Sequence, residues 1–405
     1  MRFQTVSSAL LLVCLGVQHS FAQQPAPPNS FTLQTALAEA ETHNRTLIAA
    51  RLGRAADLAG IDVAKQRPNP EASFEAGRDT PHEAFSLGVP LEFGGKRARR
   101  VDLANATLAR TTADLVVQAL DVRRAVRLAY FELVAAANRV QVTTELRGFA
   151  ERTRNAARDR FESGAAPRLE ALQAELALAQ ADNEQEAARG RLDAARAELN
   201  TLIGRPPDAP AEPTEAFDGG TLPVDLAAAV AASPDIASID REIDEAVARE
   251  RLAETLRTPD TTISGGMLFD SPPEFTYGWK AGVAVTVPFF NRHTADVRVE
   301  TARVAQLRAQ REARVTELTG QATANAARAR AARQRYLRYR DEIVPQAAVV
   351  ESMAEDSYRS GQTGLSAFLQ ALQAAREVRL LATDAGLEYQ SALADLERAL
   401  GGSIR

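Results

Sequence analysis

The stretch that decides the fold is KRARRVDLANATLARTTADLVVQALDVRRAVRLAYFELVAAANRVQVTTELRGFAERTRNAARDRF, which runs from Lys96 to Phe161. These 66 residues contain no proline and a single glycine, Gly148. Apolar residues recur every seven positions along two lines that are four residues apart, Leu108 to Ala136 and Ala119 to Val140. Such spacing is typical of a coiled-coil seam. The stretch therefore predicts one helix about 100 Å long.

The chain carries this pattern twice. Pro70 recurs at Pro259, an interval of 189 residues, and Gly164 recurs at Gly361, an interval of 197 residues. Each copy reads as a helix, two strands, a very long helix, a glycine turn and a final helix. A unit of this size is too large for a solenoid repeat, so we interpret it as half of a duplicated architecture.

The repeat predicts the following organisation. A signal peptide occupies residues 1–22, the first repeat 23–204, a proline-rich linker 205–223 and the second repeat 224–405. In the first repeat we expect strands within about 71–93, a long helix over about 96–161, a tip at Gly164 and a helix over about 168–203. In the second repeat we expect strands within about 261–287, a long helix over about 295–359, a tip at Gly361 and a helix over about 366–400. Gly148 and Pro345 occupy matching positions in the long helices, so we expect a bend in both.

Composition limits the functional classes. The only cysteine, Cys14, falls in the predicted signal peptide, so the mature chain has no disulfide framework and no cysteine-based metal site or nucleophile. Removal of Arg2 with the signal leaves 47 basic side chains against 53 acidic ones, which does not suit nucleic-acid binding. No apolar stretch outside the signal is long enough for a membrane-spanning helix, so we expect a chain that is either soluble or inserted as strands.

Two pairs of strands with alternating polarity precede the long helices. The segments around 71–93 and 261–287 place apolar residues on one face and small or polar residues on the other. Each strand has the length of a tilted strand that crosses a bilayer. We assign four aromatic residues to the membrane-facing belt: Phe85, Phe93, Tyr277 and Trp279. A small soluble sheet packed on the helices would alternate in the same way and remains an alternative.

The membrane interpretation requires more than one chain. Four strands cannot close a barrel, and open sheet edges cannot lie in lipid. Three chains would supply twelve strands, an even number within the range of outer-membrane barrels. The same symmetry would assemble the long helices into a tube. We also expect the basic residues at the strand-to-helix junction, Lys96, Arg97, Arg99 and Arg100, to contact anionic headgroups.

Taken together, the whole mature chain resembles the TolC-type outer-membrane efflux family. The first helix, the strand pair, the long helix and the turn Arg160-Phe161-Glu162-Ser163-Gly164 match the family pattern and recur in the second copy. Two short stretches, residues 67–71 (RPNPE) and 91–97 (LEFGGKR), are similar to the CzcC-like heavy-metal branch.

This resemblance implies a fold that is mainly α with a membrane β portion. The homotrimer would form a 12-stranded barrel in the outer membrane of a Gram-negative bacterium and a helical tunnel in the periplasm. The tunnel end would dock a periplasmic adaptor and an inner-membrane RND-type pump, with the docking tip at Ser163, Gly164, Ser360 and Gly361. The periplasmic gate would involve Glu170, Tyr358, Thr363 and Gln370. At positions where the family channel has a linking arginine and two acidic residues, this chain has Thr363, Ala367 and Gln370, so Glu170 would supply the charge at the constriction.

Enzymatic chemistry is not indicated. His43, His82 and His293 are far apart in sequence, and no histidine or cysteine lies at ligand spacing from them. No nucleotide or catalytic motif is found, so we expect no cofactor and a passive conduit. The resemblance to the heavy-metal branch implies divalent heavy-metal cations as the cargo. Two alternatives remain: a soluble periplasmic coiled-coil scaffold or adaptor, and the same channel serving drug efflux or type I protein secretion.

Overall fold

The structure is a computed structural model that describes residues 31–79, 81–218, 226–270 and 277–402. The predicted signal peptide with Cys14, the last residues of the predicted linker and parts of both strand-pair tips lie outside these ranges.

The element order is the same in both copies, except that the long helix of the second copy is interrupted. The first copy consists of α1 (Leu33–His43), α2 (Arg45–Lys65), β1 (Glu71–Ala76), β2 (Glu83–Leu91), α3 (Lys96–Glu162) and α4 (Arg168–Ile203). The second consists of α5 (Leu226–Ala231), α6 (Pro234–Thr255), β3 (Asp260–Phe269), β4 (Tyr277–Thr286), α7 (Thr294–Arg338), a π-helical turn (Tyr339–Ile343), α8 (Val344–Arg359) and α9 (Leu365–Leu400). The expectation of a mainly α fold with a small β portion is confirmed.

The leading helix of each copy is divided in two, whereas the sequence pattern predicted one helix. Asn44 ends α1, and its side-chain oxygen accepts hydrogen bonds from the backbone N–H groups of Thr46 and Leu47, which begin α2. The Asn44 amide also donates to the Leu202 carbonyl at 2.8 Å, near the end of α4. In the second copy, Ser233 caps α6 in the same way. An N-cap residue satisfies backbone donors that have no partner within the helix, so it favours a new helix start.

The long helix of the second copy contains an irregular turn that the first copy lacks. The π-helical turn Tyr339–Ile343 directly precedes Val344-Pro345. Pro345 has no N–H and its ring clashes with the preceding turn, which accounts for the local rearrangement. Around Gly148, by contrast, α3 continues as an α-helix. The matched positions therefore differ, because a single glycine weakens a helix without removing a hydrogen-bond donor.

All four strands join in one antiparallel sheet with the order β1-β2-β3-β4. The two copies meet along β2 and β3, where Phe85 lies opposite Met267 and Val89 opposite Ile263. Within the described residues, β1 and β4 each have one neighbour, so each leaves one edge of the sheet unpaired.

The helices form a layer whose order follows from their contacts. In the half that includes the glycine turns, α4 packs on α3, α3 on α9, and α9 on both α7 and α8. In the half next to the sheet, α2 packs on α3, α3 on α6, and α6 on α7. The two side edges of the layer are therefore α2 with α4 on one side and α7 with α8 on the other.

A chain of aromatic side chains joins the two copies in the middle of the layer. The rings run from Phe31 through Tyr130, Phe131, Phe217 and Tyr336 to Tyr389, with neighbouring centroids 5.4–6.3 Å apart. Offset and edge-to-face aromatic pairs stabilise a core beyond simple burial. The Tyr130 hydroxyl also donates to the Phe31 carbonyl at 3.0 Å, which fixes the segment before α1 on α3.

We predict that Asn44→Ala destabilises the purified protein by about 1–3 kcal/mol, because it removes a helix cap and leaves the Leu202 carbonyl without this donor. The melting temperature in detergent measures the effect. Asn44→Asp is the matched variant, since it keeps a capping oxygen and loses only the donation to Leu202. Its melting temperature should therefore fall less than that of Asn44→Ala. Equal melting temperatures for Asn44→Ala and the unaltered protein would contradict the prediction.

Candidate functional site

One face of the sheet is apolar and exposed. Residues that lie opposite one another across the strands project to the same face, and this register groups the apolar residues of all four strands. Trp279 is 82% exposed and Tyr277 is 73% exposed. The other exposed apolar members of this face are Phe74, Phe85, Leu87, Val89, Ile263, Met267, Val283 and Val285. Such a large continuous apolar face marks a surface that is covered by protein or by lipid.

The opposite face of the sheet carries small and polar residues. Ser73 and Ser86 share a hydrogen bond of 2.7 Å across β1 and β2, and the register places Thr262, Lys280 and Glu75 on the same face. This difference between the faces is the arrangement of a sheet with apolar residues outside and polar residues inside. Three of the four belt residues predicted from the sequence lie on the apolar face, whereas Phe93, although exposed, lies two residues beyond the end of β2.

The junction between the sheet and the helices is held by internal ion pairs. Lys96 is buried at the first turn of α3; its Nζ donates to Asp260 Oδ1 at 2.6 Å and to the Thr258 carbonyl at 3.0 Å. Arg100 binds Glu92 through both guanidinium nitrogens. The expectation that Lys96 contacts headgroups is wrong, because this side chain is buried against β3. Arg100 holds α3 to the end of β2 through Glu92.

Two glycine turns form the far end of the helical layer. Gly164 and Gly361 have φ angles of 75° and 74°, in the left-handed region that glycine adopts readily. The backbone closes in the same way in both turns: the Ser163 N–H donates to the Asp159 backbone carbonyl, and the Ser360 N–H donates to the Asp356 backbone carbonyl. Ser163, Gly164, Ser360 and Gly361 are all exposed, so both turns present their backbone and serine side chains outward.

Close to these turns, three helices meet at one carboxylate. Glu170 Oε1 accepts a hydrogen bond from Arg160 Nη1 at 2.9 Å and from the Tyr358 hydroxyl at 3.1 Å. The Arg160 guanidinium carbon also lies 5.6 Å from the centroid of the Tyr358 ring. We call these three residues the tip cluster. It joins the end of α3, the start of α4 and the end of α8.

Packing holds the tyrosine of the tip cluster in place. The Tyr358 ring stacks on Phe368 with centroids 5.2 Å apart and planes 5° from parallel, above a small core that includes Ala157, Ala174 and Leu365. Burial raises the pKa of Tyr358, and the hydrogen bond to Glu170 raises it further. The phenol therefore keeps its proton beyond its ordinary range and serves as a donor to the carboxylate.

The structure brings together only part of the gate that the sequence predicted. Glu170 and Tyr358 are in contact, whereas Thr363 and Gln370 are exposed and contribute no side-chain hydrogen bond within the described residues. Sequence reasoning missed Arg160. This arginine supplies a cation to Glu170 from α3, and its place ten residues before Glu170, across the glycine turn, was the available signal.

The described residues offer neither a membrane-spanning helix nor a metal site. Within the residues that the structure describes, no helix is both long and apolar enough to cross a membrane. In the same ranges, no group of three or more His, Cys, Asp or Glu side chains is placed to hold a metal ion.

The sequence profile of the "Outer membrane efflux protein" family matches residues 36–205 and 226–402, one segment in each copy. The chain belongs to the outer membrane efflux protein family. Membership places the chain in the outer membrane, with a helical periplasmic tunnel and a small β portion.

Comparisons with individual proteins agree with this assignment. The chain is 28% identical to the cobalt-zinc-cadmium resistance protein CzcC of Cupriavidus metallidurans over 283 residues, which cover 68% of this chain and 67% of CzcC. It is 27% identical to the nickel-cobalt-cadmium resistance protein NccC of Alcaligenes xylosoxydans xylosoxydans over 337 residues, covering 75% and 70% of the two chains. The outer-membrane channel OprN has the same fold, with a TM-score of 0.75 at 18% identity over 92% of this chain and 90% of that one.

Proposed function

We propose that this outer-membrane efflux protein is the exit channel of a tripartite, RND-type export system for divalent heavy-metal cations. In this proposal the chain is a passive conduit. A homotrimer forms the channel, a periplasmic adaptor binds its tip, and an inner-membrane pump supplies the energy.

The two faces and two free edges of the sheet support a trimeric membrane channel. An apolar outer face suits hydrocarbon, and the small and polar inner face suits a water-filled lumen. Sheet edges in hydrocarbon must be paired, because unsatisfied backbone groups there cost several kcal/mol each. Joining the four strands of three chains edge to edge gives twelve strands and leaves no edge free.

The structure of the helical tip supports the proposal that the gate and the adaptor-docking surface lie at the same end of the helical layer. The tip cluster ties α3, α4 and α8 together next to the glycine turns, so its loss frees the helix ends that would narrow the tunnel. The exposed turns at Ser163-Gly164 and Ser360-Gly361 are available to an adaptor. We propose that the three copies of Glu170 lie around the constriction and that Arg160 and Tyr358 hold it narrow.

The cargo is proposed from the relatives. The printed names of CzcC and NccC refer to resistance to cobalt, zinc, cadmium and nickel. Weak contact with cargo suits a conduit, because an ion that binds tightly leaves slowly. Drugs, or a protein exported by a type I secretion system, are the alternative cargo of the same channel. A soluble scaffold is disfavoured by the exposed apolar sheet, where Trp279 and Tyr277 would face water.

We predict that Glu170→Ala and Tyr358→Phe each raise the mean conductance of single channels in planar lipid bilayers. Tyr358→Phe removes one hydrogen bond to a charged group and Glu170→Ala removes two. One such bond is worth about 2 kcal/mol, which would shift a closed-to-open ratio by about tenfold or more. Arg160→Ala should act in the same direction because it also removes a partner of Glu170.

Glu175→Ala is the matched control, since it removes one exposed acidic side chain of α4 that lies outside the tip cluster. Its conductance should stay at the unaltered value. Unchanged conductance in all three tip-cluster variants would reject the gate, and an equal rise in the control would show that conductance responds to charge alone.

We predict that deleting the gene from its host lowers the inhibitory concentrations of cobalt, zinc, cadmium or nickel several-fold, because the exit of the export route is lost. A panel of these metals, copper and common drugs on plates measures the effect, and complementation with the unaltered gene should restore resistance. Sensitivity to drugs alone would keep the channel and refute the metal cargo.

A further inference from the structure

The helix that ends at the second glycine turn, α8, buries a carboxylate against its own chain. Two residues of α8 are buried, Glu351 and Tyr358. They stand seven residues apart and therefore lie on one face of the helix, towards α9, which supplies Arg379 and Phe368 as their partners. A helix ordinarily buries an apolar side chain at such a position. The packing of α8 therefore depends on the charge of Glu351.

One arginine serves two carboxylates at this site. Arg379 Nη2 donates to Glu351 Oε2, and Arg379 Nη1 donates to Glu145 Oε2 of α3 at 3.1 Å. The side chain of Glu351 is 6% exposed, whereas that of Glu145 is 45% exposed. Because a guanidinium carries a single positive charge, two ionised carboxylates give the site a net negative charge. Water can solvate Glu145, but it has little access to Glu351.

The second carboxylate oxygen of Glu351 is left without a partner. Glu351 Oε1 is buried and accepts no hydrogen bond from the residues that the structure describes. Buried polar atoms are ordinarily hydrogen-bonded, and an unpaired charge costs far more to bury than a neutral group. A proton on this carboxyl removes the surplus negative charge and leaves Arg379 to Glu145. The contacts of Glu351 therefore suit a neutral acid better than an ionised one.

The other charged groups around Glu351 act in the same direction. Glu355, one helical turn further along α8, adds a negative charge, and its own ion pair with Arg359 is long at 3.7 Å. Burial raises the pKa of Glu351 above its ordinary value, Arg379 offsets part of this rise, and the charges of Glu145 and Glu355 add to it. Glu351 therefore holds its proton more tightly while it is buried than when it faces water.

This difference in proton affinity fixes the direction of the pH effect. A carboxyl whose pKa is raised by burial favours its buried state at low pH. That preference decreases as the pH rises from the ordinary carboxyl value towards the raised one. Acidic conditions therefore hold α8 against α9, and rising pH favours the exposure of Glu351.

We propose that Glu351 is a proton-binding site that controls the docking of α8 on α9. With the proton bound, α8 stays packed and Tyr358 stays within reach of Glu170. With the proton lost, the carboxylate moves towards water and α8 loosens from α9. The proposal rests on the proposed gate, because α8 carries Tyr358 of the tip cluster, and it adds a regulating proton to that gate. Such a channel is narrower in an acidic periplasm and wider in a neutral one.

Single-channel recordings in planar bilayers from about pH 5 to about pH 8 test this coupling. Glu351→Gln is the main variant, since glutamine resembles the protonated acid and carries no charge. Glu145→Gln removes the carboxylate that competes for Arg379. Glu377→Gln is the matched control, because it makes the same substitution at an exposed glutamate of α9, two residues from Arg379.

We expect the mean conductance of the unaltered channel to rise with pH, and Glu351→Gln to lose this rise and keep the low-pH value. Glu145→Gln should move the midpoint of the rise to lower pH by about one unit, because Arg379 then serves Glu351 alone. Glu377→Gln should follow the unaltered profile. An ion pair with only a structural role would not move this midpoint.

Melting temperatures in detergent test the proton site without reference to conductance. Glu351→Gln should melt above the unaltered protein at about pH 8, and this difference should shrink towards about pH 5, where the wild-type carboxyl retains its proton in the folded state. The same difference at both pH values would overturn the proton site.

The tip-cluster variants separate failure of this proposal from failure of the gate. If those variants raise the conductance, a flat pH profile in the unaltered channel, or a rise that Glu351→Gln retains, refutes the proton site and leaves the gate standing. If those variants leave the conductance unchanged, the gate is refuted, and the melting comparison alone decides the proton site.

Discussion

The structure depends on the constraint that backbone hydrogen-bonding groups in hydrocarbon must find partners within protein. The sheet buries no apolar core of its own; it presents an apolar face with Trp279 and Tyr277 outward, and it leaves the outer edges of β1 and β4 unpaired. Lipid can cover the apolar face, but only another strand can pair with the free backbone N–H and C=O groups at the edges. In the proposed trimer, closing the sheet into a ring would also arrange the helices that extend from it.

The two copies have similar architectures but differ in local structure. The glycine turns at Gly164 and Gly361 have nearly the same geometry, yet the tip cluster is asymmetric, with Arg160 and Glu170 from the first copy and Tyr358 from the second. The π-helical turn likewise occurs only in the second copy. The two copies therefore differ at the tip, where side chains from both contribute to one cluster.

The sequence was sufficient for features that rest on a local period. The seven-residue repeat and the lack of proline predicted the long helix, which the structure has at Lys96–Glu162, and the alternation of polarity predicted the strands. The break at Asn44 was missed because helical periodicity continues across it, and the cap is stabilised by Leu202, 158 residues away.

Contacts between distant segments were also beyond the sequence pattern. The sequence indicates a surface charge at Lys96, but its Nζ donates to Asp260, which is 164 residues further along the chain. At the tip, the resemblance indicated Glu170 and Tyr358 as gate residues, whereas Arg160, part of the matching turn, was not assigned to the gate although it supplies the cation. The role of a charged residue depends on the residues that it contacts, and a single sequence does not show these contacts.

We place the apolar face of the sheet in the hydrocarbon of the outer membrane. Trp279, the only tryptophan in the sequence, lies on this face, so its fluorescence reports the surroundings of the face. The most direct measurement is its fluorescence after reconstitution into vesicles that contain lipids brominated on the acyl chains. We expect blue-shifted emission that brominated lipid quenches and aqueous iodide does not. Emission that iodide quenches and brominated lipid leaves unchanged would place this face of the sheet in water and refute its insertion in the membrane.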